Sequence, residues 1–219
     1  MSRINKTFLL LFVTIILSLT ILILLNGQPV TKSTGKQVPM PAFIKATPAP
    51  TPLPTPTITI KTTSQISPDG SMELMLKAKT ENTGEQTYEL SVKDVNKQAT
   101  TQIFKENWPQ NISLSIPFNT WAPDHKYFFV TKQTGLPATP PAHYLVFQNS
   151  GAGFGEDKYL DVTELFLAKE LPYELDEVTG WAAPGLLLVN TKKPDSGEQG
   201  PSYWFEIYSN HFIQLSTRF

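Results

Sequence analysis

The chain has 219 residues, a formal net charge of −1 and no cysteine. Disulfides, thiolate zinc sites and a cysteine nucleophile are therefore excluded. The small net charge hides an asymmetry. No Asp or Glu precedes Asp69, while six of the eighteen Lys and Arg do, so residues 69–219 hold all nineteen acids against twelve bases. An acidic domain behind an acid-free arm argues against nucleic acid as its partner.

In chain order the first element is apolar. Phe8 to Leu25 is interrupted only by Thr14, Ser18 and Thr20. At a rise of about 1.5 Å per residue it spans roughly 27 Å, close to the hydrocarbon core of a bilayer. Arg3 and Lys6 precede it, which favours a cytoplasmic N-terminus. The exit from Leu24 to Pro29 contains no small-x-small cleavage site. The expectation is an uncleaved signal anchor over residues 1–26: one transmembrane helix, with the lipid bilayer as partner and the rest of the chain extracytoplasmic.

Residues 27–57 read as a linker. From Thr47 to Thr57 proline stands at every second position. Proline fixes φ and carries no N–H, so the expected conformation is extended polyproline II.

Residues 58–219 read as an all-β domain. Ile58 to Thr63 alternates polar and apolar residues, Ser67-Pro68-Asp69-Gly70 has turn chemistry, and Met72 to Thr80 places Met72, Leu74 and Leu76 on one face. Tyr88–Val92 and Thr100–Phe104 complete a four-stranded antiparallel unit. A second unit takes Asn111–Ile116, Lys126–Lys132 and Tyr144–Phe147. Its next segment reads as a strand from about Lys158 to Thr163, with a short helical turn before Pro172. Asp161-Val162-Thr163-Glu164 also has the form of a helix N-cap with an acid three residues on. A third unit takes Asp176–Gly180, Leu186–Asn190, Tyr203–Tyr208 and Phe212–Phe219.

A turn followed by an apolar strand recurs at residues 66, 121 and 181. The copies begin Ile66-Ser67-Pro68-Asp69-Gly70, Trp121-Ala122-Pro123-Asp124-His125 and Trp181-Ala182-Ala183-Pro184-Gly185. This pattern resembles the WD40-like or TolB-like β-propeller repeat. The resemblance implies antiparallel blade-like repeats, a partial or open β-propeller of about three units. It implies no common chemistry.

The three histidines, His125, His143 and His211, have no metal-binding or catalytic spacing and read as structural or solvated. A Ser-His-Asp site built on Asp124 or Asp161 lacks a G-x-S-x-G elbow. The acids from Glu156 to Glu177 lack the D-x-D-x-D-G calcium pattern and read as a solvated face. Trp121 and Trp181 mark repeat positions and read as core. Trp108, beside Pro109, and Phe154 and Asp157, in a glycine-rich connection, are the candidate binding-loop residues. No catalytic residue, cofactor or metal is expected. The function expected is a membrane-anchored extracytoplasmic module that binds a protein or envelope polymer without catalysis. One alternative is a surface hydrolase acting on peptide or glycan, marked by His and acid side chains converging in one pocket. Another is a structural spacer or assembly subunit.

Overall fold

The computed structural model describes residues 58–81, 85–135 and 142–219. They form twelve strands and one short helix. β1 (Thr59–Ile66), β2 (Met72–Thr80), β3 (Glu85–Asp94) and β4 (Ala99–Pro109) make the first antiparallel sheet, each strand beside the next in sequence. β5 (Ile112–Ser115), β6 (Tyr127–Thr134), β7 (His143–Gln148) and β8 (Leu160–Asp161) make the second. Helix α1 (Val162–Leu167) follows, and β9 (Glu174–Ala183), β10 (Leu186–Lys192), β11 (Gln199–Glu206) and β12 (His211–Gln214) make the third.

The turns that open the copies have a definite chemistry. In the first, the Gly70 amide donates to the Ser67 carbonyl at 2.8 Å, and the Ser67 amide to Met72 O at 2.8 Å. The second repeats both bonds, from His125 to Ala122 and from Ala122 to Tyr127, each at 2.9 Å. All three turns need a residue at positive φ: Gly70 at 75°, His125 at 57° and Gly185 at 73°. Glycine takes that conformation without a steric cost, and histidine less readily.

The second sheet is covered on both faces. Phe128 and Val130 of β6 and Leu145 and Phe147 of β7 pack with Leu74, Leu76, Leu90 and Phe104 of the first sheet. The intervening residues Phe129 and Val146 pack with Leu187, Val189 and Phe205 of the third. Side chains alternate along a strand, so a sheet buried on both faces needs a continuous apolar run, and Tyr127-Phe128-Phe129-Val130 supplies it. Cross-strand pairs set the register: Leu76 opposite Leu90, Phe128 opposite Phe147, and Phe205 opposite Phe212.

Three expectations are corrected. The all-β content holds, but the three sheets stay separate, and none closes or curls into a propeller. The WD40-like and TolB-like resemblance fails with it. A turn and an apolar strand are local features that many antiparallel hairpins share, whereas closure depends on how the sheets stack. The single-pass topology is corrected too. Among the described residues no helix is long and apolar enough to cross a membrane; α1 has six residues against the roughly twenty a span requires. Phe8–Leu25, the anchor segment, and the linker 27–57 lie outside the described residues, so the bilayer as partner and the extracytoplasmic placement are not carried forward. Finally, the strand expected over Lys158–Thr163 is only two residues long, because Asp161 ends it by capping α1.

Candidate active site

Asp161 stands where β8 becomes α1. Its Oδ1 accepts from the Thr163 amide at 3.1 Å and the Glu164 amide at 3.2 Å, satisfying two donors of the first helical turn. The buried Thr163 hydroxyl donates to Ala142 O at 3.0 Å and accepts from the Tyr144 amide at 3.3 Å. It thereby fastens the helix start to β7.

That arrangement brings His143 to Asp161. Leu145 of β7 lies opposite Asp161 of β8, and His143, two residues earlier on β7, is Asp161's diagonal neighbour. His143 Nδ1 lies 2.8 Å from Asp161 Oδ2 and 3.8 Å from Glu164 Oε1. One ligand-capable atom from each of the three side chains falls within 4.8 Å of the others. The imidazole and the Asp161 carboxylate are mostly shielded, with about 20% and 19% of each side chain exposed, whereas Glu164 is 63% exposed.

Asp161 and Glu164 line a cleft of about 450 Å³, together with Glu106, Asp157, Lys158 and Tyr159. His143 does not line the cleft itself but contacts Asp161, which does. Burial first, and then the carboxylates of Glu106, Asp161 and Asp157, push the Tyr159 hydroxyl above its ordinary pKa, so it remains a donor.

This set of groups can act in two ways. With its Nδ1–H donating to Asp161, the imidazole carries its lone pair on Nε2 and can accept a proton from water. With a divalent cation, the nitrogen and two carboxylate oxygens match the ligand types of a catalytic metal centre with positions left open. Direct separations of 2.8 and 3.8 Å are of the order expected between neighbouring ligands of one ion bound at about 2.1 Å.

A second His–acid contact joins the first two turns. His125 Nδ1 lies 3.3 Å from Asp69 Oδ2. The buried Ser67 hydroxyl donates to Asp69 Oδ1 at 2.7 Å. A nucleophilic serine must bond the imidazole, and here the carboxylate sits between them, so the group is structural. The Ser67 hydroxyl, then the Ser71 amide and the Ser71 hydroxyl, hold Asp69 well below the usual carboxylate range.

A cavity of about 700 Å³ lies where the three copies begin. Ile66, Trp121 and Trp181 line it, with Phe118 and Asn119, and no titratable residue does. It offers contact surface but no acid or base.

The expected binding residues are dispersed. Trp108 lies in β4 rather than in a loop. It is half-buried against Tyr88 and Phe104, with ring centroids at 5.5 Å from each, and Lys132 Nζ sits 4.8 Å from its own centroid. Phe154 and Asp157 close one turn, the Phe154 amide donating to Asp157 O at 2.7 Å. The expectation of a non-catalytic module is corrected by the convergence of His143, Asp161 and Glu164. Asp161 carried a visible signal in its capping pattern. Glu164 stands three residues on in that same pattern, whereas His143 carried no signal, because its approach depends on the β7–β8 register.

The fold and the site together define an all-β protein of three stacked four-stranded sheets with a His-Asp-Glu cluster at one edge. No protein-family model matches the chain, and no curated protein matches it.

Proposed function

We propose that this chain is a hydrolase acting on peptide or glycan, with His143, Asp161 and Glu164 as its chemical centre. The observation that carries this is the approach of one imidazole nitrogen and two carboxylate oxygens to within 4.8 Å of one another beside an open cleft. Metal-assisted hydrolysis gives all three residues a role. A bound divalent cation would polarise the scissile carbonyl or glycosidic oxygen and supply hydroxide near neutral pH. Asp161 is held in orientation by the amides it caps, and the exposed Glu164 can swing onto an incoming ion.

The test uses the full chain with zinc or manganese. Equilibrium dialysis and metal analysis should give one ion per chain, and mass spectrometry should detect cleavage in a peptide and glycan panel. His143→Gln and Glu164→Gln should each lower metal affinity by about tenfold to a hundredfold and remove cleavage. Cleavage undiminished in both variants, or no cleavage by the metal-loaded chain, overturns the proposal.

A further inference from the structure

Among the described residues the three sheets have six edge strands, and five of them are blunted. β5 and β12 have four residues each, and β8 has two. β9 pairs with β10 through three register shifts. β4 is shifted once against β3 and ends at Pro109. Short strands, irregular pairing and proline are the devices by which exposed edges avoid other chains. β1 has none of them. It runs for eight residues, pairs with β2 in unbroken register and carries one charge, Lys61. Among the described residues no strand pairs with its outer edge.

The first turn fixes which backbone groups that edge offers. The Ser67 amide donates to Met72 O at 2.8 Å, and the same register continues with Ile66 opposite Glu73. Backbone groups alternate sides along an antiparallel strand. The odd-numbered residues of β1 therefore bond β2, and Ile60, Thr62, Ser64 and Ile66 turn their N–H and C=O groups outward. Side chains alternate between faces. Thr63 lies opposite Leu76, which packs toward the second sheet. Ile60 and Ile66 stand on the other face, 54% and 56% exposed. The sequence of this stretch is nearly a palindrome: about Thr63, Ile60 mirrors Ile66, Lys61 mirrors Gln65 and Thr62 mirrors Ser64.

We infer that β1 is the surface through which two copies of this chain associate, pairing antiparallel with the partner's β1 about a two-fold axis through Thr63. Such an axis makes the contact self-complementary and sets each residue opposite its mirror position. The outward groups of Ile60, Thr62, Ser64 and Ile66 then form about eight hydrogen bonds between the copies. Ile60 meets the partner's Ile66, and Ile66 the partner's Ile60, so both isoleucines are covered on the solvent face. Lys61 meets the partner's Gln65 rather than a like charge. The paired first sheets become one sheet of eight strands. This contact lies on the first sheet, away from the residues of the hydrolase proposal, and does not rest on it.

Disulfide trapping of the full chain tests both the contact and its register. On the axis, Thr63 faces the partner's Thr63 in a non-hydrogen-bonded pair, with Cα atoms about 4.5 Å apart, a separation that a disulfide spans. The chain has no cysteine, so Thr63→Cys introduces its sole thiol. Oxidation with diamide and non-reducing electrophoresis should show a covalent dimer. Lys61→Cys puts the thiol on the same face of the same edge, but its two copies lie about 13 Å apart along the strands. It should give at least about tenfold less dimer. Thr62→Pro removes an outward N–H and leaves the β2 ladder intact. Added to Thr63→Cys, it should keep the melting temperature near that of the single variant and lower trapping to the Lys61→Cys level. Equal trapping at positions 61 and 63, trapping at neither, or trapping that survives Thr62→Pro overturns the proposal.

Discussion

The indole nitrogen of Trp181 donates to the carbonyl of Thr120 at 2.9 Å, from sixty-one residues further along the chain. Trp121 makes the equivalent bond to Gln65 at 3.2 Å. Each acceptor immediately precedes the start of the previous copy, residue 65 before Ile66 and residue 120 before Trp121. The tryptophans therefore tie each sheet back to the one before it. Trp121, 6% exposed, packs into the core between the first two sheets. Trp121→Ala should destabilise the fold by roughly 3–5 kcal/mol, because a large buried ring is lost. Trp121→Phe keeps an aromatic ring but removes the donor, and should cost less, with about 1 kcal/mol of it from the bond to Gln65. Urea denaturation of the two variants separates these contributions.

Asp161 has two duties that different substitutions separate. Its Oδ1 caps α1 while its Oδ2 faces His143. Asp161→Ala removes both and should lower stability by about 1 kcal/mol through the lost cap. Asp161→Asn can still cap the helix through its amide oxygen, so its melting temperature should stay near the wild-type value while metal binding falls. A melting curve and a dialysis measurement on each variant check this. Equal melting temperatures for both variants would show that the cap contributes nothing.

The turn around Asp69 should make stability depend on acid. Three hydrogen bonds to its carboxylate, the first from Ser67, lower its pKa in the folded protein from the ordinary 3.8. A group depressed on folding adds stability that is full above its unfolded pKa and is lost as pH falls through the folded one. Asp69→Asn should therefore melt earlier than wild type at neutral pH, and the gap should shrink below about pH 4. Melting curves of the two proteins across that range measure it. His125, at 3.3 Å, adds a smaller attraction in the same direction.

The strands were legible where burial is one-sided. Leu74 and Leu76 alternate with less buried residues on β2, and that period of two is visible without coordinates. The run Tyr127–Val130 was legible as a strand, but not as one buried on both faces, since that depends on which sheets flank it. The third copy illustrates a further limit. Its turn has one residue fewer between Pro184 and the positive-φ position than the first two have between proline and theirs. Aligned from Trp121 to Trp181, Leu187 matches Tyr127 and Val189 matches Phe129. Phe129 faces forward to the third sheet, whereas Val189 faces back to the second. A one-residue slip exchanges the faces of a strand, and short repeats do not reveal it. Trp108 was misplaced for a related reason: β4 continues past Phe104 to Pro109, and its outer end alternates weakly. In the site, the capping pattern at Asp161 is a local signal, while the diagonal approach of His143 is a matter of register.

The two-sided burial of the second sheet bears on how the chain is made. During synthesis its first face can close as soon as residues 127–148 emerge, because the first sheet already exists. Its other face, with Phe129 and Val146, must wait for Leu187, Val189 and Phe205. Until then the nascent protein presents an unpaired aromatic surface, which is the kind of surface that chaperones bind and that premature truncation would leave permanently open.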